Sequence, residues 1–514
     1  MSALLVAPFA LPLAVAALLL LLRRRPHLQR VIGVAGVVAL VAVGVGLVVA
    51  TAGGEVHATR VGGWPGGLAI VFVADGVSAL LVAGASIVSV LCLVTAAARD
   101  EDRHPLFHPL VAVLLAGVLG SFVTGDLFNL FVTFEVMLIA SYVLVALRGG
   151  PREVRASTVY VTVNLLASAM LLIGIALLYG AAGTVELASL HRVVVEVPNA
   201  AIGATLVATA VAVKASLVPL HSWLPRVYPV AGPATTALFS ALLTKAGVYV
   251  LLRLDSTVFA DVDAFRQVLL VVAVVTMVIG VLGAVGRSDV RGILSFHMVS
   301  QVGYLVLPIG IGTVAAYTAG LVYLLQYLAV KGSLFLTAAA IETITGTGQL
   351  ARLGGMLRTR PALAIGFLLP ALSLAGIPPT SGFVGKFLLV DAAFESHLLL
   401  AGGVAVAVSF ATLLSMLKIW NGVFWGERTS EVTDEPGLAA YSFPVPAGGA
   451  GGGDPPAPPV VRNGRTLALA APALLVGVLV LALGVLAGPL VDLVQPAAQT
   501  LADPQPYLDA VRRS

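Results

Sequence analysis

Apolar stretches of about 20 residues recur from one end of this chain to the other, the length a helix needs to cross a bilayer. In lipid, backbone N–H and C=O groups must be satisfied within the protein, so segments of this composition span as helices. Fourteen candidate spans stand out: 3–22, 31–51, 72–97, 107–124, 127–147, 157–180, 200–220, 234–252, 265–285, 290–311, 314–343, 363–390, 399–424 and 466–491. Charged residues are 11% of the chain, against roughly 25% in soluble domains. The expected fold class is an all-α polytopic membrane protein of about 14 transmembrane helices embedded in the lipid bilayer.

Arg23, Arg24 and Arg25 follow the first apolar run instead of preceding it, which makes 3–22 a span and not a cleavable signal. With the N-terminus outside, 18 arginines fall in inner loops and 6, Arg253 among them, in outer ones. That bias follows the positive-inside rule and places both termini outside. The net charge of +4 is spread over short loops, which argues against nucleic acid as a partner. Residues 425–465 hold clustered prolines and a broken glycine run, and are expected to form a flexible cytoplasmic loop. The single cysteine, Cys92, lies in an apolar run, and no His/Cys spacing suggests a metal or cofactor.

The charges inside the spans are more informative. All five lysines, Lys214, Lys245, Lys331, Lys386 and Lys418, fall in apolar runs, while the loop cations are arginines. A lysine at mid-membrane costs about 2.5–3.5 kcal/mol on insertion scales. Arginine stays protonated, whereas a buried lysine can give up its proton. A site that must bind and release a proton therefore favours lysine. Glu135 is the matching mid-span acid, and Lys214 is its expected partner on another helix. Lys214 precedes Pro219, and Lys386 follows Gly376 and the Pro378–Pro379 pair. Interrupted helices at two corresponding places are a pointer to an ion pathway. Lys245 and His297 are expected between these sites, and Lys331, which follows Gln326 and Tyr327, adds another polar group that can pass protons through waters; taken alone, His297 fits a hydrogen-bonded core histidine better. Lys418, near the inner end of its span, can snorkel to the surface. Asp75 fits packing and an ion path equally well.

Gly125–Asp126–Leu127–Phe128–Asn129 leading to Glu135, the stretch from Lys214 to Pro225, Phe239 to Lys245, and Gly376 to Lys386 carry a family resemblance. Over nearly its whole length the chain resembles the antiporter-like subunits shared by Mrp-type sodium/proton antiporters and respiratory complex I. Phe394–Glu395–Ser396–His397 and the stretch from Lys418 to Trp425 resemble the Mrp branch most. The resemblance implies N-terminal helices at 1–106 and two inverted five-helix repeats at 107–252 and 265–424, each with a broken helix. A last helix and tail at 466–514 would follow, with no lateral helix beyond. It implies Glu135 and Lys214 as a coupling pair, Lys245 as a bridging lysine and Lys386 as a terminal one. Lys331 stands where some relatives carry histidine.

The expected function is proton translocation within a multisubunit monovalent cation/proton antiporter of a bacterial plasma membrane. Its partners would be other membrane subunits, protons and sodium. One alternative is a proton-pumping subunit of a complex I-like dehydrogenase or membrane hydrogenase; another is a scaffold for a partner transporter.

Overall fold

The fold is described from a computed structural model covering residues 1–64, 69–426 and 463–514, with side chains in the last segment from residue 470. The expected loop at 425–465 falls outside the described residues save for its ends.

The chain opens with α1 (Ser2–Leu21), α2 (Pro26–Thr51) and α3 (Gly76–Ala98). Next come α4 (Phe107–Val123), α5 (Leu127–Ala146), α6 (Pro151–Ala182), α7 (Ala200–Ala215) and α8 (Pro233–Ser256). Then follow α9 (Asp263–Val285), α10 (Val290–Ile311), α11 (Val314–Thr345), α12 (Pro361–Ala375), α13 (Ser381–Glu395) and α14 (Leu399–Trp420). The last are α15 (Asn463–Val485), α16 (Ala487–Ala502) and α17 (Gln505–Arg513). Ten of the described helices are long and apolar enough to cross a bilayer, or eleven if a bent pair near the end counts as one span. This is a multi-pass membrane protein.

The described residues form an all-α membrane fold, as expected, with three local differences. A short hairpin interrupts the helices: His57–Arg60 (β1) and Val71–Ala74 (β2) pair antiparallel, with His57 opposite Ala74. The third expected span therefore starts late. β-branched and aromatic side chains favour a strand at Val71–Phe72–Val73, and Asp75 then starts α3 through a reciprocal cap with Ser78. Secondly, the segment after the last span is helical. α16 leaves α15 at 82° and packs on α11 and α3, and α17 adds Tyr507, Leu508 and Val511 to a small core with Val71 and Val73. Thirdly, Arg253 is not a loop cation. It lies in α8, 2% exposed, with Nη2 2.6 Å from Asp75 Oδ2.

Burial explains the layering. Every residue of α8 is buried, and α10 and α11 are nearly so. A helix apolar on all sides belongs at the centre. The 32-residue α11 touches α3, α8, α10, α12, α13, α15 and α16. The outward faces of α1, α2 and α6 carry exposed leucines and valines, as lipid-facing helices do.

One local motif occurs twice. Asp126 caps α5 through the Asn129 N–H and forms a bridge with Glu186. Asp289 caps α10 through the Gly292 N–H and forms a bridge with Gln349. Positions 126 and 289, and 186 and 349, are each 163 apart. The backbone bond from Leu127 N–H to Val185 O recurs from Val290 N–H to Gly348 O at the same shift.

Candidate functional site

Two helices stop short inside the bundle. α7 ends at Ala215, and Ser216 takes a left-handed conformation. Val213 O accepts from the Ser216 N–H and also from Trp223 Nε1 at 3.0 Å, which ties the helix end to the following loop. α12 ends at Ala375 and is capped by Gly376, whose φ of 84° suits glycine. α13 restarts at Ser381, and the Gly382 N–H donates to Ser373 Oγ at 3.0 Å. Gly382 is required by contact: a Cβ there would lie 1.8 Å from Ser373 O. Pro219 lies in the first break, Pro378 and Pro379 in the second; Val218–Pro219 and Pro378–Pro379 are cis.

The breaks place two lysines. Lys214 sits in the last turn of α7 and Lys386 in the second turn of α13, both under 5% exposed. Lys214 Nζ donates to Ser168 Oγ on α6 at 3.0 Å, and that hydroxyl donates to Glu135 Oε1 on α5. The expected Glu135–Lys214 pair is thus bridged: among the described residues no direct ion pair forms between them, although Glu135 acts electrostatically on Lys214. A serine has the reach to serve both at once, because its hydroxyl donates and accepts.

Lys245 on α8 and Lys331 on α11 are fully buried. Lys245 Nζ donates to Ser240 O and lies 4.3 Å from the centre of the Tyr327 ring. Lys331 Nζ donates to Leu294 O at 2.9 Å and lies 6.0 Å from the same ring. His297 on α10 meets Ser415 Oγ through Nε2 at 2.5 Å and is within Coulombic reach of both Lys331 and Lys386. Lys386 Nζ donates to Ser409 Oγ at 3.2 Å and sits 4.3 Å from the Tyr304 ring centre and 5.9 Å from that of Tyr323. Tyr304, Tyr323 and Tyr327 form a row with neighbouring ring centres 5.8 and 5.9 Å apart. Between Lys214 and Lys245 the helices touch: a Cβ on Gly247 of α8 would lie 2.6 Å from the Ala215 nitrogen of α7. A cavity of about 250 Å3 lies beside Lys386, lined also by Gly376, Ser409 and the rings of Phe383, Phe387 and Phe410.

Lys418 is apart from this row. It is exposed and donates to Val285 O and Arg287 O at 3.0 and 2.6 Å, closing the end of α9. Asp75 is occupied by Arg253, whose guanidinium also lies 4.4 Å from the Tyr507 ring centre. Among the described residues no group of three or more His, Cys, Asp or Glu side chains could hold a metal ion.

A family model described as NADH:quinone oxidoreductase/Mrp antiporter, TM, matches residues 124–415. This chain belongs to that family. Glu135, the four buried lysines and His297 all lie within the matched stretch. The chain is similar to the D subunit of the Na(+)/H(+) antiporter of Alkalihalophilus pseudofirmus, 42% identical over 434 residues covering 83% of this chain and 88% of the relative. It is similar to the D subunit of the Na(+)/H(+) antiporter of Bacillus subtilis, 34% identical over 428 residues covering 82% and 87%. It is also similar to a chain in the structure of the Mrp complex from a Dietzia species, at 41% identity and a TM-score of 0.91 over 99% of each chain. Within the Mrp branch, the D subunits are the relatives this chain resembles.

For this member of the Mrp family, sequence reasoning missed Ser168, Ser409, Tyr304 and Tyr323, and named Tyr327 only as a neighbour of Lys331. A signal existed for two of them: Tyr323, Tyr327 and Lys331 are spaced by four, which puts them on one helix face. Ser168 carried none, being one serine among many in apolar helices.

Proposed function

We propose that the chain is a proton-translocating, non-enzymatic subunit of a multisubunit monovalent cation/proton antiporter in a bacterial plasma membrane. It works among other membrane subunits, with sodium as the exchanged cation. The observation that carries this reading is the interior row from the half-buried Glu135 through Ser168 to Lys214, and from Lys245 past the tyrosines to Lys331, His297 and Lys386. Six ionisable groups inside a membrane bundle are too costly to keep for packing alone.

In this reading the chain has 14 spans with both termini outside. Residues 107–252 and 265–424 are inverted repeats, which the motif recurring at a shift of 163 supports. Glu135 favours the charged form of Lys214 while near it. Its withdrawal disfavours that charge, and the proton moves on towards Lys245, Lys331 and Lys386. The names of the relatives favour the antiporter over a redox-driven pump.

Lys386→Ala tests the relay. With the complete complex in everted vesicles, sodium-driven pH change should vanish while the subunits still copurify. Native transport by the variant would remove Lys386 from the path. A visible spectrum of the native complex tests the class: flavin or iron–sulfur bands would move it to the redox pumps.

A further inference from the structure

Tyr327 is a fully buried ring approached by two ammonium groups from different helices. Lys245 comes from α8, in the first half of the chain. Lys331 comes from α11, one turn beyond Tyr327 on the same helix. Among the described residues the Tyr327 hydroxyl has no hydrogen-bond partner. The ring, not the hydroxyl, is what the lysines meet.

An aromatic face attracts a cation, most strongly when both are removed from water. Two ammonium charges in a dry interior repel one another. That repulsion favours one charge over two, and the ring offers a seat to whichever lysine carries it. Each lysine also has a backbone carbonyl to rest on, Ser240 O for Lys245 and Leu294 O for Lys331. The ring itself is held: it stacks on Tyr323 at 18°, and the Tyr323 hydroxyl donates to Gln301 Oε1.

We propose that Tyr327 is a positioning residue that holds one positive charge at the junction between the two halves of the chain, carried by Lys245 or by Lys331 but not by both. The inference rests on the relay reading above and adds a part to it. In the structure Lys245 is seated nearer, at 4.3 Å against 6.0 Å for Lys331. Transfer exchanges the two: as Lys245 gives up its proton the ring is free to receive the ammonium of Lys331. Loss of the ring removes the common seat and uncouples the halves.

The test uses the complete complex in everted vesicles, with sodium-driven pH change as the readout and copurification of the subunits as the assembly check. Tyr327→Leu and Tyr327→Met remove the aromatic face in two different shapes, and Tyr327→Phe keeps it. The aliphatic variants should transport at least tenfold more slowly with the complex assembled, and Tyr327→Phe should restore transport to within about threefold of native. Native rates in either aliphatic variant overturn the proposal, as does a Tyr327→Phe rate as low as theirs. Failure of both aliphatic variants to assemble, with Tyr327→Phe normal, assigns the ring to packing and overturns it too. Lys386→Ala in the same vesicles separates the two readings. Native transport there ends the relay itself, whereas its loss alongside native Tyr327→Leu ends only the role of Tyr327.

Discussion

Lys214 reaches Ser168, not Glu135: its Nζ lies 3.0 Å from Ser168 Oγ, and the same hydroxyl binds the Glu135 carboxylate. One serine therefore stands between the acid and the base of the first half. Hydrogen bonds to charged groups contribute about 1.5–3 kcal/mol each. Ser168→Ala should slow cation-driven proton movement by roughly tenfold or more, and Ser168→Thr should recover most of it. Initial rates of pH change in everted vesicles would show this; an alanine variant at native rate means the two groups meet without the serine.

Gly382→Ala tests the second break. The added methyl would collide with Ser373 O, so α13 must shift away from α12. Overpacking of this kind costs about 1–3 kcal/mol. Lys386 lies one turn further along α13 and moves with it. Transport should fall more steeply than the yield of assembled complex, and equal losses in both would make Gly382 a folding residue only.

Asp75→Asn should destabilise strongly. It keeps a cap for α3 but leaves the Arg253 guanidinium buried without its counter-charge. Removing one partner of a buried pair typically costs about 3–5 kcal/mol. Adding Arg253→Met to Asp75→Asn should regain part of that loss. Thermal unfolding of the purified complex gives the four corners of the cycle, and strict additivity would mean the pair is not coupled.

Asp102 lies in the loop before α4, where Arg30 donates to both its oxygens and His108 Nε2 is 3.0 Å away. Burial alone would push its carboxyl up, but the hydrogen bonds from His108 and Arg30 and the nearby Arg30 charge hold it down at about 2. A carboxyl held below its unfolded value, about 4, stabilises the fold above that pH and loses the contribution as pH falls towards 2. Native complex should unfold at a higher temperature than Asp102→Asn at neutral pH, and the two should converge on acidification. A constant gap from pH 7 down to 2 would rule out the carboxylate as its source.

Lys418→Met is the contrasting lysine. Its ammonium is exposed and, among the described residues, donates to carbonyls at the end of α9. A surface hydrogen bond of this sort contributes about 0.5–1.5 kcal/mol. Transport should stay near native, unlike Lys386→Ala, and a dead variant would bring Lys418 into the path.

The sequence alone determined the membrane class, because apolar runs of bilayer length admit few structures other than helices. It also singled out the candidate charges, since a lysine or glutamate in such a run is rare and costly wherever the helix packs. The helix breaks near Lys214 and Lys386 were legible in Pro219, Pro378 and Pro379 for the same local reason. What joins those charges was not. Ser168 lies 33 residues from Glu135 and 46 from Lys214, and Tyr304 lies 82 positions before Lys386, so only the packing of α6 on α7 and of α13 against the central helices brings them together. The same holds for Arg253, which reads as a loop cation until α3 and α17 close over it with Asp75 and Tyr507. Apolar length is a property of one segment, whereas a hydrogen bond between helices is a property of their arrangement.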